Sequence, residues 1–253
     1  MFIEAVDAGI ATVTLNRPPV NGINDEWVAG FHEVLDGLDA RPDWTVLRLR
    51  SSQKVFCAGA DLKTMRAKFE QPGGVARLAE DTRAYQRLFE RIEALPRLTV
   101  AEIGGAAVGG GFELALACDL RIAAQGAKLG LPEVRLGLLP GAGGTQRLTR
   151  LCGRGIATRL ILGAEVLNGE GAAALGLVQW AVPAGELQAA SDSLVRRLAA
   201  LPAHAVALAK ACIGLASPLA PAGFAKEVEA TIQLLQSAET RRLVADFLAG
   251  ARP

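Results

Sequence analysis

The chain has 253 residues, enough for one large domain or a main domain with a smaller appendage, since domains run to ~100–200 residues. A composition of 51% hydrophobic and 21% charged residues is that of a globular protein with a sizeable core and excludes a disordered or low-complexity chain. The net charge of +1 excludes a broad electrostatic footprint for nucleic acid.

Met1 to Asp7 has neither a basic nor an apolar leader region, so a cytoplasmic location is expected. Ile10 to Leu15 is rich in β-branched residues and ends at Asn16-Arg17-Pro18-Pro19, a strand running into a proline-stiffened loop. Asn24 offers a helix cap, and Trp27, Phe31, Val34, Leu35 and Leu38 recur at helical spacing. Thr45 to Arg50 alternates Leu47 and Leu49 with Arg48 and Arg50, a second strand. Val55 to Lys63 reads as a strand end that breaks at Ala58-Gly59-Ala60, where small residues let a ligand touch the main chain. Arg66 to Gly74 is polar and closes on Pro72-Gly73-Gly74, a mobile loop. Val75, Leu78, Thr82, Tyr85, Phe89 and Ile92 follow in steps of three and four, an amphipathic helix ending before Pro96.

Leu98 to Ile103 is a strand feeding Gly109-Gly110-Gly111, which opens into the apolar run Phe112 to Asp119. Leu120 to Ala124 is a short strand, Leu136 to Gly144 a glycine-rich loop, Thr145 the start of another helix, and Val178 to Val182 the last strand. From Glu186 onward only helical patterns remain, broken near Pro202, Pro218 and Pro221. Alternating strands and helices predict an α/β core over residues 1–190 and a helical segment over 191–253. No internal repeat stands out.

Chemistry concentrates between Gly104 and Glu133. A glycine turn opening a helix leaves first-turn N–H groups unpaired, so Gly110 offers a donor to a developing oxyanion, and Ala58–Ala60 offers a second from another strand end. Glu113 lies three positions after Gly110 and faces the same space, while Glu133 follows Pro132 in an extended stretch. A glutamate in apolar sequence needs a partner or a task, and two converging on one pocket can hold a water and divide proton removal and delivery. Taken singly, each glycine turn also fits close helix packing and each glutamate a surface position. No G-x-G-x-x-G follows a strand, and neither a Walker A pattern nor a G-x-S-x-G elbow occurs. His32 and His204 lack metal-ligand spacing, and Cys57, Cys118, Cys152 and Cys212 sit far apart among apolar residues, so reduced, buried thiols and no metal are expected. Ile103 to Cys118 is charge-poor but short of the ~20 apolar residues that cross a bilayer, so no membrane partner is expected.

Together the motifs resemble the crotonase superfamily, the enoyl-CoA hydratase/isomerase group. Phe56-Cys57-Ala58-Gly59-Ala60-Asp61-Leu62-Lys63 looks like its first oxyanion segment and Ala107 to Ala115, through Gly109-Gly110-Gly111-Phe112-Glu113, like its second. Leu131-Pro132-Glu133 with Gly137 to Leu148 matches a third. The resemblance implies a crotonase-like spiral of repeated β-β-α units, a helical C-terminal trimerisation region, and assembly as a homotrimer or homohexamer. It implies an acyl-CoA substrate whose thioester carbonyl sits between the N–H groups of Ala60 and Gly110. Ala58, Asp61, Leu62 and Lys63 would then lie along the adenine and pantetheine, and Gly141 would help hold a water. Glutamate at both acidic positions is similar to the true hydratases, which add water to a trans-2-enoyl-CoA with Glu113 and Glu133 as the catalytic pair. No cofactor is implied, coenzyme A being part of the substrate.

The division of labour between the two glutamates stays open, as do a Δ3,Δ2-enoyl-CoA isomerase, a related hydroxyacyl-CoA dehydratase, and a non-catalytic acyl-CoA-binding or scaffold protein. Gly104 stands where the family often has Asn, and Leu129 where an aromatic is common. The C-terminal end lacks the family's Glu-Lys-Arg run, leaving Lys226 and Arg252 as candidates for phosphate contacts.

Overall fold

A strand covered on both faces needs apolar residues at almost every position, and the central strands of this chain are the mostly buried ones. A computed structural model describes residues 1–216 and 221–250. β1 (Phe2–Asp7) and β2 (Gly9–Leu15) pair antiparallel. α1 (Asp25–Asp39) follows, with the Asn24 side chain accepting from the Trp27 N–H as its cap. Its predicted face, Trp27, Phe31, Val34, Leu35 and Leu38, is buried, and Phe2 stacks edge-on to Trp27 and Phe31 at 5.3 and 5.1 Å. β3 (Trp44–Ser51) lies parallel to β2, and α2 (Leu62–Phe69) and α3 (Gly74–Ala94) lead to β4 (Leu98–Ile103) beside β3.

From β4 the chain winds as a spiral. β4 in the main sheet is followed by β5 (Ala107–Val108) in a second sheet and then α4 (Gly110–Leu116). β6 (Leu120–Ala124) returns to the main sheet, β7 (Lys128–Gly130) to the second, and α5 (Gly144–Leu162), bent at Gly153, closes the turn. β8 (Val166–Asn168), α6 (Gly169–Ala174) and β9 (Trp180–Val182) repeat the alternation. The main sheet runs β1-β2-β3-β4-β6-β9 and the second β5-β7-β8, with bridges from Ile23 to Ala60 and Cys57 to Ala107 between them in sequence. This is the α/β spiral of β-β-α units that the motifs imply. α7 (Leu187–Ala199) covers β2, β3, β4 and β6. After α8 (Ala203–Ala216), α9 (Pro221–Gln236) and α10 (Ala238–Leu248) fold back on their own chain, α9 against α3 and α10 against α2.

Three local readings differ from expectation. β1 was not legible, because an edge strand with mostly exposed side chains shows no alternation. Leu62 to Phe69 is helical where a loop is expected from Arg66. Asp61 nucleates it by accepting the Lys63 and Thr64 N–H groups, while none of its residues is fully buried, so no apolar face marks it. Glu133 heads a 3₁₀ turn, Glu133–Leu136, and is not extended.

Charges are also buried inside the main sheet. Arg48 of β3 pairs with Glu102 of β4 at 3.5 Å and with Asp192 of α7, and donates to the Thr12 hydroxyl. Removing one partner of such a pair leaves an uncompensated buried charge. Arg48→Met is expected to lower stability by about 3–5 kcal/mol in urea unfolding, and Arg48→Met with Glu102→Met to recover most of it. A double variant as unstable as the single one contradicts the assignment.

Candidate active site

Two segments meet here through bare main chain. Gly59 has φ +88°, and a Cβ added to it would stand 2.9 Å from the Gly110 nitrogen and 3.0 Å from the Val108 oxygen. A Cβ on Gly110 would in turn lie 3.6 Å from the Ala60 nitrogen. Only glycine at 59 permits this conformation and this approach together. The neighbouring amides are committed: Ile23 N–H donates to Gly59 O, Asp61 N–H to Ile23 O, Val108 N–H to Cys57 O and Gly109 N–H to Gly130 O, at 2.8 to 3.1 Å. Between them, the Ala60 and Gly110 N–H groups have no protein acceptor among the described residues, and both residues line one cavity of about 430 Å³. Gly110 is the first residue of α4, where the helix supplies no acceptor.

Both expected glutamates line the same cavity. Glu113 sits on the first turn of α4, only 3% exposed, and its Oε1 accepts the Ala142 and Gly144 N–H groups at 2.8 Å each. Glu133 is half-buried, and its Oε1 lies 3.3 Å from the Cβ position that Gly109 leaves empty. Two carboxylates therefore stand beside two free backbone donors, a constellation suited to polarising a carbonyl and moving protons next to it.

The family model described as Enoyl-CoA hydratase/isomerase matches residues 5–249. The chain belongs to the enoyl-CoA hydratase/isomerase family. It is similar to the crotonyl-CoA hydratase of Syntrophomonas wolfei, 37% identical over 204 residues, 80% of this chain and 76% of that protein. It is similar also to the Homo sapiens enoyl-CoA hydratase domain-containing protein 2, mitochondrial, 44% identical over 195 residues, 76% of this chain and 65% of that protein. The crystal structure of an enoyl-CoA hydratase from Mycobacterium avium subsp. paratuberculosis K-10 superposes with a TM-score of 0.85 at 29% identity, covering 96% of this chain and 97% of that one.

In this member of the family, four of the five residues expected along the substrate, Ala58, Asp61, Leu62 and Gly141, line the cavity, whereas Lys63 is exposed and outside its wall. Asp61 has a structural task besides. Its carboxylate caps α2 and pairs at 3.0 Å with Arg17, whose other nitrogen donates to Gly22 O. Burial works against its charge, but the Arg17 hydrogen bond and the Thr64 and Lys63 amides outweigh burial and hold Asp61 below the usual carboxylate range. The side chain of Lys226 and residue Arg252 lie outside the described residues. Cys57 and Cys118 are buried, with burial pushing each thiol up to about 12. Cys152 is only half-buried and Cys212 is exposed, since α8 turns much of its surface outward, so the expectation of four buried thiols holds for two.

Several cavity residues escaped the sequence. Thr231 and Leu235 of α9 and Phe247 of α10 join the wall, and the buried Thr231 hydroxyl has no hydrogen-bond partner among the described residues. It abuts the glycine loop, 2.9 Å from the Cβ position at Gly141. Nothing near residue 231 signals this, because its place depends on the return of a distant helix. Ala142 and Gly144, the amides that hold Glu113, lie in the third motif, whose sequence gives no sign that it orients a glutamate from α4.

The depressed Asp61 makes a pH prediction. A carboxylate lowered on folding stabilises fully above its unfolded value of ~4, and that contribution is lost as pH falls through the folded value. Asp61→Asn keeps a capping oxygen but no charge. Its urea midpoint is expected below wild type near pH 7 and converging on it as pH drops under about 4. A gap that stays constant with pH contradicts the role given to the Arg17 pair.

Proposed function

We propose that the protein is an enoyl-CoA hydratase, adding water across the 2,3 double bond of a trans-2-enoyl-CoA to give a 3-hydroxyacyl-CoA. The observation that carries this reading is the placement of Glu113 and Glu133 on one cavity beside the free N–H groups of Ala60 and Gly110. In this reading the thioester carbonyl accepts from those two N–H groups. Negative charge grows on its oxygen as water attacks C3, so the donors bind the transition state more strongly than the substrate. The thioester is itself the electron sink, and the step needs no metal or redox cofactor.

Water sits between the carboxylates. Glu113 accepts two amide N–H bonds and is thereby held in the orientation a base needs, so we assign it removal of the water proton. Glu133, across the glycine turn, then delivers a proton to C2 as the enolate collapses. Leu78, Leu138, Leu139 and Leu235 give the acyl chain an apolar wall. The pantetheine leaves along Ala58 to Leu62, with exposed Lys63 beyond for the phosphates. We also place the enzyme in the cytoplasm as a homotrimer or homohexamer, an assembly for which the exposed Leu208 and Ile213 of α8 offer apolar surface.

Crotonyl-CoA mixed with the purified protein is expected to lose the absorbance of its conjugated thioester. Glu113→Gln and Glu133→Gln should each lower kcat by ~10²–10⁴ while thioester binding persists. Full activity of Glu133→Gln overturns the paired acid/base mechanism, and conversion of a 3-enoyl-CoA without hydration of crotonyl-CoA replaces the hydratase by an isomerase.

A further inference from the structure

Gln86, buried on α3, points its side chain at the loop that holds Glu113. Its Nε2 donates to the Gly141 carbonyl at 2.7 Å. That carbonyl and the Ala142 N–H belong to one planar peptide group, and this N–H is the one that donates to Glu113 Oε1 at 2.8 Å. Three groups thus form a chain: the Gln86 amide, the Gly141–Ala142 peptide, and the Glu113 carboxylate. A hydrogen bond accepted at a peptide oxygen draws electron density through the conjugated C–N bond and strengthens the N–H as a donor. We propose that Gln86 is a positioning residue that acts through the Gly141–Ala142 peptide to hold and tune the Glu113 carboxylate, a role that rests on Glu113 being the base of the proposed reaction.

The loop has a second anchor, which separates this role from simple support. Arg147 donates to the Ala142 carbonyl at 2.8 Å and is itself held by Glu93 at 2.9 Å. Removing the Gln86 donor therefore leaves the loop fastened and takes away polarisation of one peptide. The residue before it has a matching task, since the Tyr85 hydroxyl donates at 3.1 Å to Ile23 O, the acceptor of the Asp61 N–H. One turn of α3 braces both the donor segment and the glutamate loop. Among the described residues, the charged groups on this cavity are Glu113 on α4, Glu133 and Arg135 on the 3₁₀ turn, Asp61 paired with Arg17, and Asp81 paired with Lys68 of α2, while Arg147 and Arg150 on α5 pair with Glu93 of α3 behind the loop. Exchange of neutral Gln86 for neutral Met alters none of these charges.

The test compares wild type, Gln86→Met and Gln86→Glu with crotonyl-CoA across pH, together with the Ala142 amide proton by nitrogen-edited NMR. Gln86→Met is expected to lower kcat on the order of tenfold with KM within about twofold. The acidic limb of its kcat profile should move to higher pH, because a weaker donor lets Glu113 keep its proton longer. Its Ala142 amide proton should move upfield, a readout that needs no turnover and so stands even if crotonyl-CoA is not hydrated. Gln86→Glu should regain activity relative to wild type as pH falls, since only its protonated carboxyl can donate to Gly141 O; this variant decides if Gln86→Met does not fold. An unmoved acidic limb together with an unmoved Ala142 amide, or a Gln86→Glu to wild-type ratio that is flat with pH, overturns the proposal.

Discussion

The approach of Gly59 to Gly110 constrains everything else in this site. A side chain at 59 would strike the Gly110 nitrogen, so the two donors can stand side by side only where the main chain is bare. That contact is held from outside itself. The bridges Ile23 to Ala60 and Cys57 to Ala107 tie the first segment to the chain on both sides, and Asp61 with Arg17 fixes its exit into α2. Phe56 and Phe112, each fully buried, anchor the two turns in the core. Burying such rings contributes about 1.5–3 kcal/mol apiece, which helps to hold the two turns together.

The spiral explains why distant residues converge. The turns that start at β4 and at β6 each place one strand in the main sheet and one in the second sheet, then leave through a helix. The segments at 58–61 and 108–113 and the stretch from 131 to 144 emerge at corresponding points of successive turns, so the two donors and the two glutamates arrive at one cavity. Glu113 illustrates the dependence. It rides on α4 from one turn, but its carboxylate is oriented by Ala142 and Gly144 from the next. The cavity is then finished by α9 and α10, whose Thr231, Leu235 and Phe247 close the apolar side. Spiral and C-terminal helices thus share one cavity.

Much of this was legible in the residues. The amphipathic faces of α1 and α3 announce themselves through spacing, and small residues at 58–60 and 109–111 mark places where backbone must do the work of side chains. What stayed hidden has physical reasons. β5, β7 and β8 are two or three residues long, too short for alternation to show. β1 is an exposed edge strand, and α2 owes its helix to a capping aspartate, not to an apolar face. The structural task of Asp61 was hidden because Arg17, its partner, lies 44 positions away in sequence. Gln86 and Thr231 lie on helices where nothing in the local pattern separates a site residue from a core one.

The central claim is that the Ala60 and Gly110 N–H groups grip a thioester carbonyl. The most direct measurement is the vibrational difference spectrum of an enoyl thioester labelled with carbon-13 at its carbonyl, bound to the protein and free in water. Paired donors in a site shielded from solvent weaken the C=O bond, so the labelled band is predicted to shift to lower frequency on binding, and to lose that shift in Gly59→Ala, where the donors are driven apart. A bound carbonyl that vibrates at its frequency in water, in a protein that nevertheless holds the thioester, would contradict the account.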